Sequence, residues 1–314
     1  MPLLRPRLAV TAASAATALV ALTACGGSSS ATSAADAGPV RSVATAYGDV
    51  SVPEAPQRVL ALGETALDTT LAVGIRPVGA LAARGGNGLP AYLADLAGDV
   101  PTVGTVREPD LEAVVAADPD LILAGASTTK EQYDLLAAVA PTVVPPAAGW
   151  GEWEAESRVH AAALGRGPQV ETVLTGLEQR AQELAAELPE DTTASVVRWM
   201  PEGPLVMSGG LMAGRLLEAT GAELPAAADF ADKPHTDPLS LENLAEVDAD
   251  WLYVATLNAD GEAALEAARE SAAFSRLEAV EADRVVAVDG SYWSSAAGPL
   301  AAERVLDDIE AARS

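Results

Sequence analysis

One stretch of this sequence occurs twice. Residues 111–123 align with residues 241–253, and one Leu, one Glu and two Asp coincide while most other positions keep their apolar character. Each copy has the pattern of a short helix, a turn that carries the two Asp, and a buried strand. A repeated unit of this kind predicts two lobes of related design within one chain.

The elements around the repeat alternate between strands and helices. Short apolar strands that alternate with helical segments predict parallel sheets covered by helices. The predicted elements outside the repeat are the strand 58–62, the helix 64–73 and the strand 77–80, then the helix 131–139 and the strand 141–144 after the first copy, and the helix 262–280 and the strand 284–288 after the second.

A single long helix separates the two copies. Apolar residues recur at helical spacing between Pro168 and Pro189, and charged residues fill the opposite face. We therefore expect an α/β fold with two Rossmann-like lobes, each with a parallel sheet, at 46–167 and 190–314. The helix 168–189 joins them, and a ligand cleft lies between the lobes, because open parallel sheets bind ligands beyond their carboxyl ends.

The N-terminus has the features of a secretory lipoprotein. Residues 1–24 form a signal peptide with Arg5 and Arg7 ahead of a short apolar core, and the segment before Cys25 resembles the bacterial lipobox. Residues 25–45 are predicted to be the lipidated Cys and a flexible tether rich in Gly, Ser and Ala. The protein would then lie outside the cytoplasm, anchored to the outer face of the cell membrane. The alternative is an ordinary signal peptide that ends near a Cys.

Charge and composition exclude several classes of function. The net charge of -26 repels polyphosphate, so nucleic acid is not expected as a partner. One Cys allows no intramolecular disulfide, and two His make a His-rich metal cage improbable. The sequence lacks a Walker A motif and a Gly-x-Ser-x-Gly elbow. We therefore expect no enzyme activity, no resident cofactor and no residue that ligates metal directly.

Several fragments, in this order, resemble the ferric-siderophore solute-binding lipoproteins of bacterial ABC importers. The resemblance implies capture of a ferric siderophore and delivery to a permease dimer powered by a cytoplasmic ATPase, by a protein that we expect to be monomeric. The fragments are the lipobox, Arg58 to Leu62, Val103 to Thr105, Glu108 to Glu112, Ala140 to Val143, Tyr292 to Ser294, Gly298 to Ala302 and Leu306 to Ile309.

Basic and aromatic residues after predicted strands are the candidates for ligand binding. Members of this family use Arg or Lys for chelate oxygens and aromatic rings for the organic skeleton. Each Trp could instead belong to the core, and one of the Arg, Arg107, could pair with Glu108 or Asp110. The predicted ligand-binding residues are Arg84, Arg107, Trp150, Trp153, Arg198, Trp199, Tyr292 and Trp293.

Glu112 and Glu242 occupy the same position in the two copies of the repeat. The resemblance implies that one exposed glutamate per lobe docks against arginines of the permease. An acid in the first turn also favours a helix through its dipole, and Asp110 and Ser240 are predicted N-caps for the two helices. The two interpretations are compatible.

Three alternatives remain open at this point. The same fold could bind haem or cobalamin, and haem would favour a Tyr or His iron ligand such as Tyr92, Tyr133 or Tyr292. A lipoprotein of this kind could also present its ligand to a sensor. An extracytoplasmic enzyme is the third alternative, and it lacks a nucleophile–base constellation in the sequence.

The lipid anchor is directly testable. Replacing Cys25 with Ser should release the protein from membranes into the soluble fraction, because acyl chains on that thiol would supply the membrane affinity. Cell fractionation and intact mass measure the effect, with the wild type as control. Membrane retention of the variant, together with an unacylated mass for the wild type, would contradict the prediction.

Overall fold

Short apolar strands and the helices between them form the N-terminal part of the molecule. The computed structural model describes residues 38–84, 86, 88–147, 151–230 and 232–314; Cys25 and the signal peptide lie outside them. In chain order the elements are β1 Val40–Thr45, β2 Gly48–Pro53, β3 Val59–Leu62, α1 Glu64–Ala72, β4 Gly79–Ala82, α2 Ala94–Ala97, β5 Thr102–Thr105, α3 Leu111–Ala116, β6 Leu121–Ala124, α4 Lys130–Ala137, β7 Thr142–Val143, α5 Trp153–Leu164 and α6 Gly167–Glu187.

A second set of strands and helices follows α6. Its elements are β8 Ala194–Met200, β9 Gly203–Val206, α7 Met212–Ala219, β10 Trp251–Thr256, α8 Ala259–Arg269, α9 Glu278–Glu281, β11 Val285–Asp289, α10 Gly290–Trp293 and α11 Pro299–Arg313. Short 3-10 helices lie at Ala91–Leu93, Ala226–Ala228, Leu241–Val247 and Phe274–Arg276. No helix among the described residues is both long and apolar enough to cross a membrane.

Two sheets carry the fold, and the predicted fold class is confirmed. The N-terminal sheet has the order β5-β4-β3-β6-β7 and is parallel throughout. The C-terminal sheet has the order β11-β10-β8-β9, in which β9 is antiparallel to β8. This edge strand was not predicted; a tight turn at Gly203, with φ +128°, folds it back onto β8. Both sheets belong to one unit, Gly38–Ser314, so the predicted lobe boundaries stay a prediction.

Two further differences concern the ends of predicted elements. Val40–Thr45, assigned to the tether, instead pairs with Gly48–Pro53 as an antiparallel hairpin. The helix expected over 262–280 ends at Arg269, and the chain continues through a 3-10 turn into Glu278–Glu281. Asp248 accepts the backbone N–H groups of Glu278 and Ala279, which starts a new helix where continuous helix was expected.

The repeated Asp has the same structural role in both sheets. Asp120 accepts hydrogen bonds from the backbone N–H groups of Gln57 and Arg58, directly before β3, at 2.7 and 2.9 Å. Asp250 accepts one from the N–H of Thr193, directly before β8, at 2.8 Å. The strand that each Asp starts lies beside the strand that it holds. The repeat in the sequence therefore corresponds to a repeated contact, in which an Asp carboxylate holds two neighbouring strands together.

The long helix packs against the C-terminal helix. Arg180 of α6 bonds to Asp307 and Glu310 of α11 at 2.7 and 2.5 Å. Asp68, fully buried on α1, accepts the N–H groups of Leu300 and Ala301 in the first turn of α11 at 2.8 and 2.9 Å. An acceptor from the N-terminal part thus caps a helix at the other end of the chain, since the first-turn N–H groups have no partner within their own helix.

Burial makes Asp68 a source of pH-dependent stability. Desolvation raises its pKa from 3.8 to about 6, although the bonds from Leu300 and Ala301 act in the opposite direction. A raised pKa in the folded state means that this group contributes most below about pH 4 and that its contribution is lost as the pH rises through 6.

Asp68→Asn should remove this dependence. Relative to the variant, the wild type should lose about 3 kcal/mol of its free energy of unfolding between pH 4 and pH 7, the equivalent of roughly two pKa units. Urea unfolding across that range measures the difference, and Asp95→Asn, at an exposed position, is the matched control. Parallel pH profiles for the wild type and Asp68→Asn would contradict the assignment.

Candidate functional site

A cavity of about 760 Å³ opens where the carboxyl ends of the N-terminal strands face the second sheet. Residues that follow β3, β4, β5, β6 and β7 line one side of it, at Glu64, Arg84, Arg107, Gly125 and Pro146. The other side is lined by Arg198 of β8, the start of α7, Pro234 and His235, and the segment 292–297. The cleft is therefore located where parallel sheets place their ligands.

Six of the eight predicted ligand-binding residues line this cavity. Trp150 lies outside the described residues, and Trp199 lies elsewhere in the protein. The lining residues from the predicted set are Arg84, Arg107, Trp153, Arg198, Tyr292 and Trp293.

Trp199 points into the core because β8 is longer than the sequence indicated. Arg198 and Trp199 were expected to follow a strand, but β8 runs to Met200, so the two residues are neighbours within the strand and face opposite sides of the sheet. Arg198 reaches the cavity, while Trp199 is 2% exposed and packs edge-on against Phe274. We therefore remove Trp199 from the candidate contacts.

Arg198 is held in a partly desolvated position on the cavity wall. Its Nε donates to Ser294 Oγ at 3.0 Å, and that hydroxyl donates to the Gly290 carbonyl. Burial and the positive charge of Arg84 lower the pKa of Arg198 to about 10, and Glu64 partly offsets this. Two guanidinium groups from different sheets therefore repel each other across the cavity, which favours a bound anion.

The two other cavity arginines differ in their partners. Arg84 lies 3.7 Å from Glu64, whose second oxygen accepts the backbone N–H of Arg84 at 3.4 Å. Arg107 is exposed, and no carboxylate of the described residues pairs with it, because Asp110 instead caps α3. The pairing of Arg107 with Glu108 or Asp110 that the sequence left open is not present among these residues.

Aromatic residues at the C-terminal side are fixed by one carboxylate. Asp308 accepts hydrogen bonds from the Tyr292 hydroxyl at 3.0 Å and from Trp293 Nε1 at 2.7 Å. Trp293 stacks on Tyr253 at 4.6 Å, which leaves it 2% exposed at the cavity wall. These contacts orient the two rings and occupy the Tyr292 hydroxyl and Trp293 Nε1. The part of either ring that faces the cavity is therefore mainly apolar.

Several polar residues of the cavity were not among the predicted ligand-binding residues. Glu64 follows β3 directly, so the strand-end rule that found Arg84 could have found it. Glu152 and Glu156 lie at the start of α5, and their acidic neighbours favoured a solvated helix face instead. His235 reaches the cavity through a bridge with Met207 that no local pattern indicates.

The predicted docking glutamates lie outside the cavity lining, and both are exposed. Asp110 caps α3 by accepting the N–H groups of Glu112 and Ala113, as predicted. Ser240 provides no side-chain cap, and the second copy of the repeat forms a 3-10 helix rather than an α-helix. Ser240 therefore occupies the predicted N-cap position without capping through its side chain.

Comparison with known proteins agrees with this architecture. The Bacillus subtilis protein YfiY, a probable siderophore-binding lipoprotein, is 30% identical over 282 residues, with 86% of each chain covered. The Fe(3+) dicitrate-binding periplasmic protein FecB of Escherichia coli is 27% identical, over 85% of this chain and 88% of FecB. Staphylococcus aureus SirA, crystallised with staphyloferrin B, has a TM-score of 0.75 at 23% identity, over 87% of this chain and 98% of SirA.

The similarity to SirA concerns the fold, and the similarity to YfiY extends along most of both chains. Residues 61–292 match the family described as periplasmic binding protein, from β3 through α10. The resemblance found in the sequence is confirmed, and the chain belongs to the periplasmic binding protein family.

Proposed function

We propose that this protein captures a ferric siderophore outside the cytoplasm and delivers it to the permease of an ABC importer. The observation that carries the proposal is the convergence of Arg84, Arg107 and Arg198 on one cavity in a chain whose net charge is -26. Placing like charges together is unfavourable in the empty protein and becomes favourable when anionic chelate oxygens lie between them.

Aromatic surface in the same cavity suits the organic part of such a ligand. Tyr292 contributes most of the aromatic surface beside the three guanidinium groups, whereas Trp153 and Trp293 are buried and reach the cavity wall only at their edges. The names of YfiY and FecB, which refer to siderophore and Fe(3+) dicitrate binding, agree with this ligand class. Iron would enter as part of the ligand, so the protein needs no cofactor of its own.

The cavity is less suited to haem than to a ferric siderophore. Of the tyrosines that the sequence offered as iron ligands, Tyr292 lines the cavity, whereas Tyr92 and Tyr133 do not. The Tyr292 hydroxyl already donates to Asp308, and burial raises the pKa of this phenol, which opposes the tyrosinate that would bind ferric haem iron. Members of this family are substrate-binding proteins, and we propose that this chain likewise acts as a monomeric, lipid-anchored binding protein without catalysis.

Ligand binding can be measured by quenching of Trp fluorescence. The purified protein is titrated with ferric catecholate, hydroxamate and citrate chelates, and with haem and cobalamin. Arg84→Ala and Arg198→Ala should each weaken binding of the ferric chelate roughly ten- to hundredfold, the expected cost of one charge-assisted contact. Arg76→Ala is the matched control, since Arg76 is similarly exposed and does not line the cavity. Unchanged affinity in both cavity variants would contradict the site.

The docking face is proposed on the two copies of the repeat. Glu112 and Glu242 are exposed beside Leu111 and Leu241, large apolar residues that are 40% and 39% exposed. A charged residue with an adjacent apolar residue, present once in each half of the molecule, suits a partner with twofold symmetry. We propose that these pairs contact the permease dimer, which works with a cytoplasmic ATPase.

Charge reversal tests the docking face. The double variant Glu112→Arg and Glu242→Arg should bind the ferric chelate normally and lose most uptake, because like charges would then meet across the interface. Uptake of labelled chelate by cells is measured beside binding by the purified protein. The control is Glu131→Arg with Glu278→Arg, two exposed acids in the first turns of α4 and α9. Normal uptake by the first double variant would overturn the proposal.

A further inference from the structure

The charges in the cavity are separated along the order of the strands. Arg107 and Arg84 follow β5 and β4 on one side, whereas β6 and α5 border the other side and bring in the Glu156 carboxylate. Neighbouring strands lie about 4.8 Å apart, so β5 and β6 are separated by roughly 14 Å. Arg84 and Arg107 therefore lie toward one end of the cavity, with Glu64 beside Arg84, and Glu156 lies toward the other end.

Glu156 differs from the other two carboxylates of the cavity. Glu64 lies 3.7 Å from Arg84, and Glu152 lies 3.9 Å from Arg215. Within the described residues no side chain or backbone group donates a hydrogen bond to the Glu156 carboxylate, and neither Arg nor Lys pairs with it. Its side chain is 20% exposed, and Oε1 lies beside Gly125 at the end of β6.

The side chain next to Glu156 adds a second observation. His160, one turn further along α5, is completely buried and directs Nε2 toward Glu156 Oε1 at 3.5 Å. Neither of its ring nitrogens has a hydrogen-bond partner among the described residues. A partly buried carboxylate above an unbonded ring costs free energy until a cation or donor reaches it, and the open side of Glu156 is the cavity.

We propose that Glu156 is a subsite for a positively charged amino group carried by the bound chelate. This inference rests on the proposed function and names the class of ligand: a ferric chelate with anionic oxygens at one end, an ammonium arm at the other, and an overall charge close to neutral. Among the described residues, three guanidinium groups and three carboxylates line the cavity. A ferric tris-catecholate with several negative charges would occupy the end near Arg84 and Arg107 and leave Glu156 facing it without a partner.

The test uses two chelates that differ only at the amine. One is a ferric linear trihydroxamate with a terminal primary amine, and the other is the same chelate with that amine acetylated. Fluorescence titration of the purified wild type should give about tenfold tighter binding of the amine form, as expected for one charge-assisted contact. Glu156→Gln should abolish the preference and leave affinity for the acetylated form nearly unchanged.

Glu154→Gln is the matched control, because Glu154 lies on the same helix, pairs with Arg215 and does not line the cavity. It should keep the preference for the amine. Equal binding of both chelates by the wild type would overturn the amine subsite, and tight binding of a ferric tris-catecholate alone would overturn the charge class; both results leave the proposed function intact. Failure to bind any ferric chelate would overturn the proposed function and this subsite together.

Discussion

The Asp68 carboxylate joins parts of the molecule that are far apart in the sequence. It lies on the first helix after β3 and caps α11, the last helix of the chain, while the Tyr92 hydroxyl donates to the same group at 2.9 Å. A Cβ on Gly298 would overlap this carboxylate, so the glycine before α11 is needed for the close approach. The cap fixes where α11 begins, and through it the segment 292–297 that forms one wall of the cavity.

The Asp68 cap helps to explain how two sheets with a cleft between them can present a defined binding surface. The apolar core continues from α1 and α5 through α6 to α7 and α11, so the helices behind both sheets share one packed layer. Against that layer, Asp308 orients Tyr292 and Trp293, and Ser294 holds Arg198. The aromatic and cationic groups of the cavity are thus positioned by contacts behind them, which is the condition for binding without large rearrangement.

Duplication accounts for features on the outside of the protein as well as within it. The same Asp of each copy holds the neighbouring strand, and the same Leu and Glu of each copy remain exposed. The copies differ in detail: Asp110 caps an α-helix, whereas the second copy winds as a 3-10 helix. The Leu and the Glu are therefore exposed in both copies although the two helices differ.

The two-sheet fold, the long helix and the placement of Arg84, Arg107 and Tyr292 after strands could be predicted, because they follow from local periodicity and from the order of elements. The sequence pattern did not show where β8 ends. Because the strand extends to Met200, its alternation places Arg198 on the cavity side and Trp199 on the core side. Likewise, the partial burial of Glu156 and its position beside His160 arise from contacts in the folded chain. The burial of a side chain, its charge partners and the direction in which it points all depend on contacts between distant segments. Local sequence patterns do not encode these contacts.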